Sequence, residues 1–135
     1  FRTPTEIVKK VDYNFDQIKN ATGYDHNWCL NTYKDGKGDD KTVCAGLYSP
    51  TSGILLEVFT NEPGIQVYTG NFQGTGIPGK HGIKYPKHVS VCFESQKYPD
   101  SPTKVAQGVK DWTDATLKPG EKYYSHLAYK FSVKK

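Results

Sequence analysis

Apolar and polar residues alternate through "HVSVCFES" and through "YYSHLAYKFSV", and this limits the fold more than any other feature of the chain. A repeat of two residues is the signature of a pleated strand with one face on a core. In the first segment Val89, Val91 and Phe93 take one face, while Ser90, Cys92 and Glu94 take the other. In the second, Leu127, Tyr129, Phe131 and Val133 share a face. The same period places Val43, Ala45 and Leu47 together in "TVCAGLYS". "GILLEVFT" is a compact run rich in β-branched and aromatic residues, and "IQVYTGNF" follows it across the turn signal "NEPG". Gly, Pro, Asp and Lys loops such as "YKDGKGDDK", "GTGIPGKHG" and "KPGEKY" separate the strands. Short strands with such punctuation predict an all-β sandwich. The 135 residues, without repeat or linker, predict one domain.

Two stretches depart from the strand pattern. "TPTEIVKKVDYNFDQIKN" spaces Ile7, Val11, Phe15 and Ile18 like a helix, but its Asp and Asn residues are weak helix formers, so one or two loose turns are expected. "YPDSPTKVAQGVKDWTDATLKPGE" has no sustained period and is expected to be irregular.

Composition excludes some partners. The net charge of +4 is spread thinly, which describes a solvated surface rather than a nucleic-acid patch. No apolar run approaches the roughly 18 residues of a membrane helix, and no signal-peptide pattern opens the chain. Cys29, Cys44 and Cys92 are odd in number, far apart and without a CxxC pair, so free thiols in a reducing compartment, the cytoplasm, are expected. The triplet "NAT" at Asn20 would matter only in a secreted protein. A first residue Phe1 and no methionine lead to the expectation that some sequence upstream is missing.

The cluster "TGYDHNWCL" sets Asp25, His26 and Asn27 in a row between aromatics, with Cys29 behind, and fits a metal site, a catalytic group, a sugar clamp or a turn. A metal site from His26, Cys29 and Cys44 lacks the paired spacing of zinc ligands, and Asp35, Asp39 and Asp40 lack the ligand order of a calcium hand, so no metal is expected. "GTGIPGKH" fits two phosphate-loop patterns, but His81 stands where Ser or Thr should follow the lysine and no helix pattern comes after it. A long hairpin loop is the better account. Glu94 reads two ways, as a solvated surface carboxylate or as a general base held on a rigid strand, its pKa raised by partial burial.

Taken together, "RTP", "GYDHNWCL", "TNEPGIQVYTGNF", "CFESQKYPDSP" and "LKPGEKYYSHLAYKFSV" resemble, in order and approximate spacing, the aldose 1-epimerases or galactose mutarotases. The resemblance implies a β-supersandwich of which residues 1–135 form the C-terminal portion, with the N-terminal portion, including the family's acid histidine, outside this chain. It further implies that Glu94 is the catalytic base, and that Asp25 and Gln66 bind sugar hydroxyls, with Tyr68 and Asn71 as supports. On this reading His26 and Asn27 hold a turn, Cys29 lies in the core, and Tyr24 or Trp28 either faces the sugar or packs in the core. Glu62 stands where the family usually has Gln, Ser95 where it usually has Thr, and "SPTKVAQGVKDW" replaces a usual Asn and Phe-Pro stretch.

The implied reaction interconverts the α and β anomers of an aldohexose such as galactose or glucose by acid/base ring opening and closure, without cofactor or metal. A monosaccharide and the N-terminal portion of the same protein are the expected partners, and the chain alone is expected to lack the acid. Three alternatives stay open: a non-catalytic sugar-binding relative, a glycosidase pairing Asp25 with Glu94, or a hexose-phosphate epimerase using Lys80, Lys84 and Lys87.

Overall fold

The computed structural model describes residues 1–74 and 76–134. After a 3-10 turn, Ile7–Lys10, the elements are α1 (Asp16–Ala21), β1 (Asp25–Cys29), β2 (Tyr33–Lys34), β3 (Lys37–Gly38), β4 (Ala45–Tyr48), β5 (Ile54–Thr60), β6 (Gly64–Tyr68), a second 3-10 turn at Lys80–Gly82, β7 (Cys92–Gln96), α2 (Ser101–Ala106) and β8 (Leu127–Val133). Strands dominate, as the alternation requires. Their sheet orders are β1-β6-β7, β2-β3 and β4-β5-β8.

The chain divides into two compact units, 1–26 with 66–93, and 27–65 with 94–135. In the first, the loose turns expected near the start are the 3-10 turn and the six-residue α1, of which only Ile18 is buried. Thr22 ends α1 in the left-handed conformation at φ 56°, and the Gly23 N–H closes the helix on the Ile18 carbonyl at 3.1 Å. The "GTGIPGKHG" segment, apart from Thr75, which lies outside the described residues, turns back on itself as a hairpin loop. Pro78 bridges Lys84 and the Gly79 N–H meets the Ile83 carbonyl at 2.8 Å.

In the second unit β5 is the centre of an antiparallel trio. Val58 pairs with Ala45 on one side and Tyr129 on the other, and is fully buried. Ile54, Leu56 and Val58 stand opposite Val133, Phe131 and Tyr129, so the expected apolar face of β8 is continuous with that of β5. Tyr129, Phe131 and Val133 are nonetheless exposed. "NEPG" makes the bend between β5 and β6.

Several expectations are corrected. "DHNWC" is not a turn held by His26 and Asn27 but strand β1, and Cys29 is exposed rather than in the core. The alternating "HVSVCFES" pairs only from Cys92 onward, because His88 adopts φ 60° and is tied to residues 69 and 70, its N–H on the Gly70 carbonyl at 3.1 Å and Nδ1 3.2 Å from the Thr69 carbonyl. Residues 88–91 are thereby kept as loop, with Val89 exposed. Within the stretch expected to be irregular, Ser101–Ala106 forms α2, with a proline in its first turn. The acidic loop contains the hairpin β2-β3, whose Asp35 and Gly36 have φ of 50° and 77°, the pair of left-handed residues that a tight two-residue turn needs.

Candidate functional site

The candidate site begins with the main chain of Tyr24. Its N–H donates to Thr69 Oγ1 at 3.0 Å, and its carbonyl accepts from the Thr69 N–H at 3.1 Å and from Asn71 Nδ2 at 2.8 Å. The Thr69 hydroxyl in turn donates to Asn71 Oδ1 at 2.7 Å. Asn71 is fully buried and Thr69 nearly so. A satisfied buried polar network of this kind admits one geometry. It fixes the entry to β1 and so the residue that follows, Asp25.

Gly23 is part of the same fit. A Cβ there would collide with Asn71 Oδ1 and approach Thr69 Oγ1 at 2.9 Å, and its φ of 152° disfavours side chains besides. The Tyr24 ring packs edge-on to Phe1 at 5.5 Å and to His26 at 6.1 Å, its hydroxyl donates to the Lys10 carbonyl at 2.6 Å, and burial pushes its phenol pKa up. Of the two roles open to Tyr24, packing is the one it occupies. His26 Nδ1 accepts from the Asp25 N–H at 2.9 Å, which leaves its proton on Nε2 when the ring is neutral.

Asp25 and Gln66 come together across 41 residues of sequence. Gln66 Nε2 donates to Asp25 Oδ1 at 2.8 Å. Asp25 is exposed, so its carboxylate can accept further hydrogen bonds from a ligand. Gln66 Oε1 is buried and has no partner among the described residues. An acceptor in that state is poorly solvated and favours a hydroxyl donor. Tyr68, named as a support, has its hydroxyl oxygen accepting from the Phe72 N–H at 2.9 Å, which holds the turn beyond β6. Thr69, by contrast, was not singled out from the sequence, although the string "QVYTGN" contains it.

Glu94 belongs to the second unit. It is the exposed residue of β7, flanked by half-buried Phe93 and Ser95. Of its two readings, this exposure fits the solvated carboxylate and not the partly buried one: alternation predicts which face a side chain takes, but burial depends on what covers that face. Among the described residues no group of three or more His, Cys, Asp or Glu gathers to hold a metal ion, and no helix is long and apolar enough to cross a membrane.

Comparison with known proteins gives these positions a context. The family model described as aldose 1-epimerase matches residues 1–130. The chain is 42% identical over 133 residues to a galactose mutarotase of Mus musculus, covering 98% of this chain and 34% of that protein. It is 36% identical over 133 residues to an aldose 1-epimerase of Escherichia coli strain K12, covering 97% of this chain and 35% of that protein. The chain thus spans about one third of the length of these relatives and matches their C-terminal part. In structure it is similar to a crystallised GalM/aldose epimerase homologue from C. elegans, with a TM-score of 0.67 and 25% identity over 83% of this chain and 30% of that one. This likeness agrees with the all-β, mutarotase-like fold expected from the strand pattern and the resemblance. On the match over nearly its whole length, the chain belongs to the aldose 1-epimerase family.

Proposed function

We propose that this chain is the C-terminal portion of an aldose 1-epimerase that interconverts the anomers of an aldohexose such as galactose or glucose, and that it supplies the base and part of the sugar clamp. The observation that carries the reading is the Asp25–Gln66 pair: an exposed carboxylate hydrogen-bonded at 2.8 Å to an amide whose oxygen is buried and unpartnered. The exposed carboxylate can accept from sugar hydroxyls in short, charge-assisted bonds, and the Gln66 amide holds it in place.

Glu94 takes the proton from the anomeric hydroxyl while an acid protonates the ring oxygen; the ring opens to the aldehyde, C1 turns, and the ring recloses on the other face. By resemblance the acid is a histidine of the N-terminal portion. The reaction asks nothing of a cofactor, since every step is a proton transfer. The three free cysteines support a reducing compartment such as the cytoplasm.

The test is Glu94→Gln in the full-length protein, followed by polarimetry of freshly dissolved α-galactose. Loss of the base should lower kcat by about 10²- to 10⁴-fold. Mutarotation at the parent rate would reject the assignment.

A further inference from the structure

Glu62 is 3% exposed, and its Oε2 meets Lys97 Nζ at 3.4 Å. Removing a carboxylate from water so completely is costly without a partner, so the ion pair is a condition of this packing. The acidic end is anchored. The Glu62 N–H donates to Thr60 Oγ1 at 3.2 Å, the Thr60 hydroxyl donates to the His126 carbonyl at 2.8 Å, and the His126 N–H donates to Asn61 Oδ1 at 2.8 Å. Residues 60–62, the exit of β5, are thus clamped to the residue that precedes β8.

The basic end follows β7 directly, three residues after Glu94. Lys97 stands in the bend just past the strand, and its ammonium is drawn to Glu62 rather than to the Glu94 carboxylate. Beyond it, the Tyr98 ring packs edge-on to Trp112 at 5.3 Å, and Trp112 Nε1 donates to the Pro99 carbonyl at 3.1 Å. Glu94 itself is exposed and makes no hydrogen bond or ion pair among the described residues. Its direction is set by the backbone of β7, and the first side-chain anchor past the end of that strand is Lys97.

We propose that the Glu62–Lys97 ion pair is a positioning device for Glu94: the buried Glu62 fixes the exit of β7 and thereby the aim of the Glu94 carboxylate. The proposal rests on the reading of Glu94 as the base. Neither Glu62 nor Lys97 is required to touch the sugar. Removing the pair should therefore act on kcat and spare KM.

The experiment measures initial mutarotation rates against α-galactose concentration for the full-length protein and its Glu62→Gln, Lys97→Met, Lys97→Arg and Glu94→Gln variants, with the folded fraction of each read by circular dichroism. Glu62→Gln keeps the shape and removes the charge; because misplacing a catalytic group by 1 Å costs up to about 10²-fold, kcat should fall about tenfold with KM unchanged within about twofold. Lys97→Arg should retain most of the rate that Lys97→Met loses. A parental kcat in Glu62→Gln, a rate that falls only with the folded fraction, or Lys97→Arg no better than Lys97→Met would each overturn the proposal. Should Lys97→Met fail to fold, Glu62→Gln decides alone. If Glu94→Gln turns over normally, the base assignment fails and the positioning role fails with it; if Glu94→Gln is inactive while Glu62→Gln is unimpaired, only the positioning role fails.

Discussion

Asn71→Ala tests whether the buried network before β1 sets the sugar clamp. The substitution removes two bonds, the 2.8 Å donation to the Tyr24 carbonyl and the 2.7 Å acceptance from the Thr69 hydroxyl. Part of the loss is recovered. The Tyr24 carbonyl keeps the Thr69 N–H at 3.1 Å, and the freed Thr69 hydroxyl can swing to the same carbonyl, already 3.3 Å away. What remains is one net hydrogen bond of about 1 kcal/mol and a small cavity where the fully buried amide stood, worth about 1 kcal/mol more. The expected destabilisation is about 2 kcal/mol, read as a lower urea midpoint with an unchanged slope. Because Tyr24 leads directly into Asp25, the KM for galactose should rise as well, by several-fold. A change below about 0.5 kcal/mol, or lost stability with a parental KM, would refute the link between this network and the clamp.

Two further outcomes follow from particular contacts. Asp25→Asn removes the charge of the proposed clamp while the side-chain Oδ1 can still accept from Gln66 Nε2, so KM should rise about tenfold with a smaller effect on kcat; an unchanged saturation curve would count against the clamp. Burial pushes the Cys44 thiol pKa up, and Sγ–H donates to the Val58 carbonyl at 3.2 Å. Since the thiolate is the reactive form, Cys44 should alkylate more slowly than exposed Cys29 at pH 8 and accelerate only in more alkaline solution. The sign for stability agrees: a raised folded-state pKa gives a contribution complete below the unfolded value and lost as pH rises through the folded one. Peptide mass spectrometry after timed iodoacetamide labelling reads this, and equal rates at Cys44 and Cys29 would contradict it.

Much of the sheet was legible because strand formation has a local cause. The apolar run of β5, the "NEPG" bend and the alternating face of β8 need only neighbours two residues apart to announce them. β1 could not be read in that way: "DHNWC" is polar and irregular, and it extends because Tyr24 is fastened to Thr69 and Asn71, 45 and 47 residues away. β7 starts late for a similar reason, the ties of His88 to residues 69 and 70. The Asp35-Gly36 pair at the tip of β2-β3 is itself a local hairpin signal.

The site divides along the same line. Family-like strings in the sequence were enough to single out Asp25, Gln66 and Glu94, because the chemistry of a residue travels with its identity. That Asp25 and Gln66 share a hydrogen bond, that Glu94 is exposed, and that Glu62 is buried against Lys97 were decided by tertiary structure alone. Partners and burial depend on which distant segments pack against a side chain, and a local pattern carries no record of them.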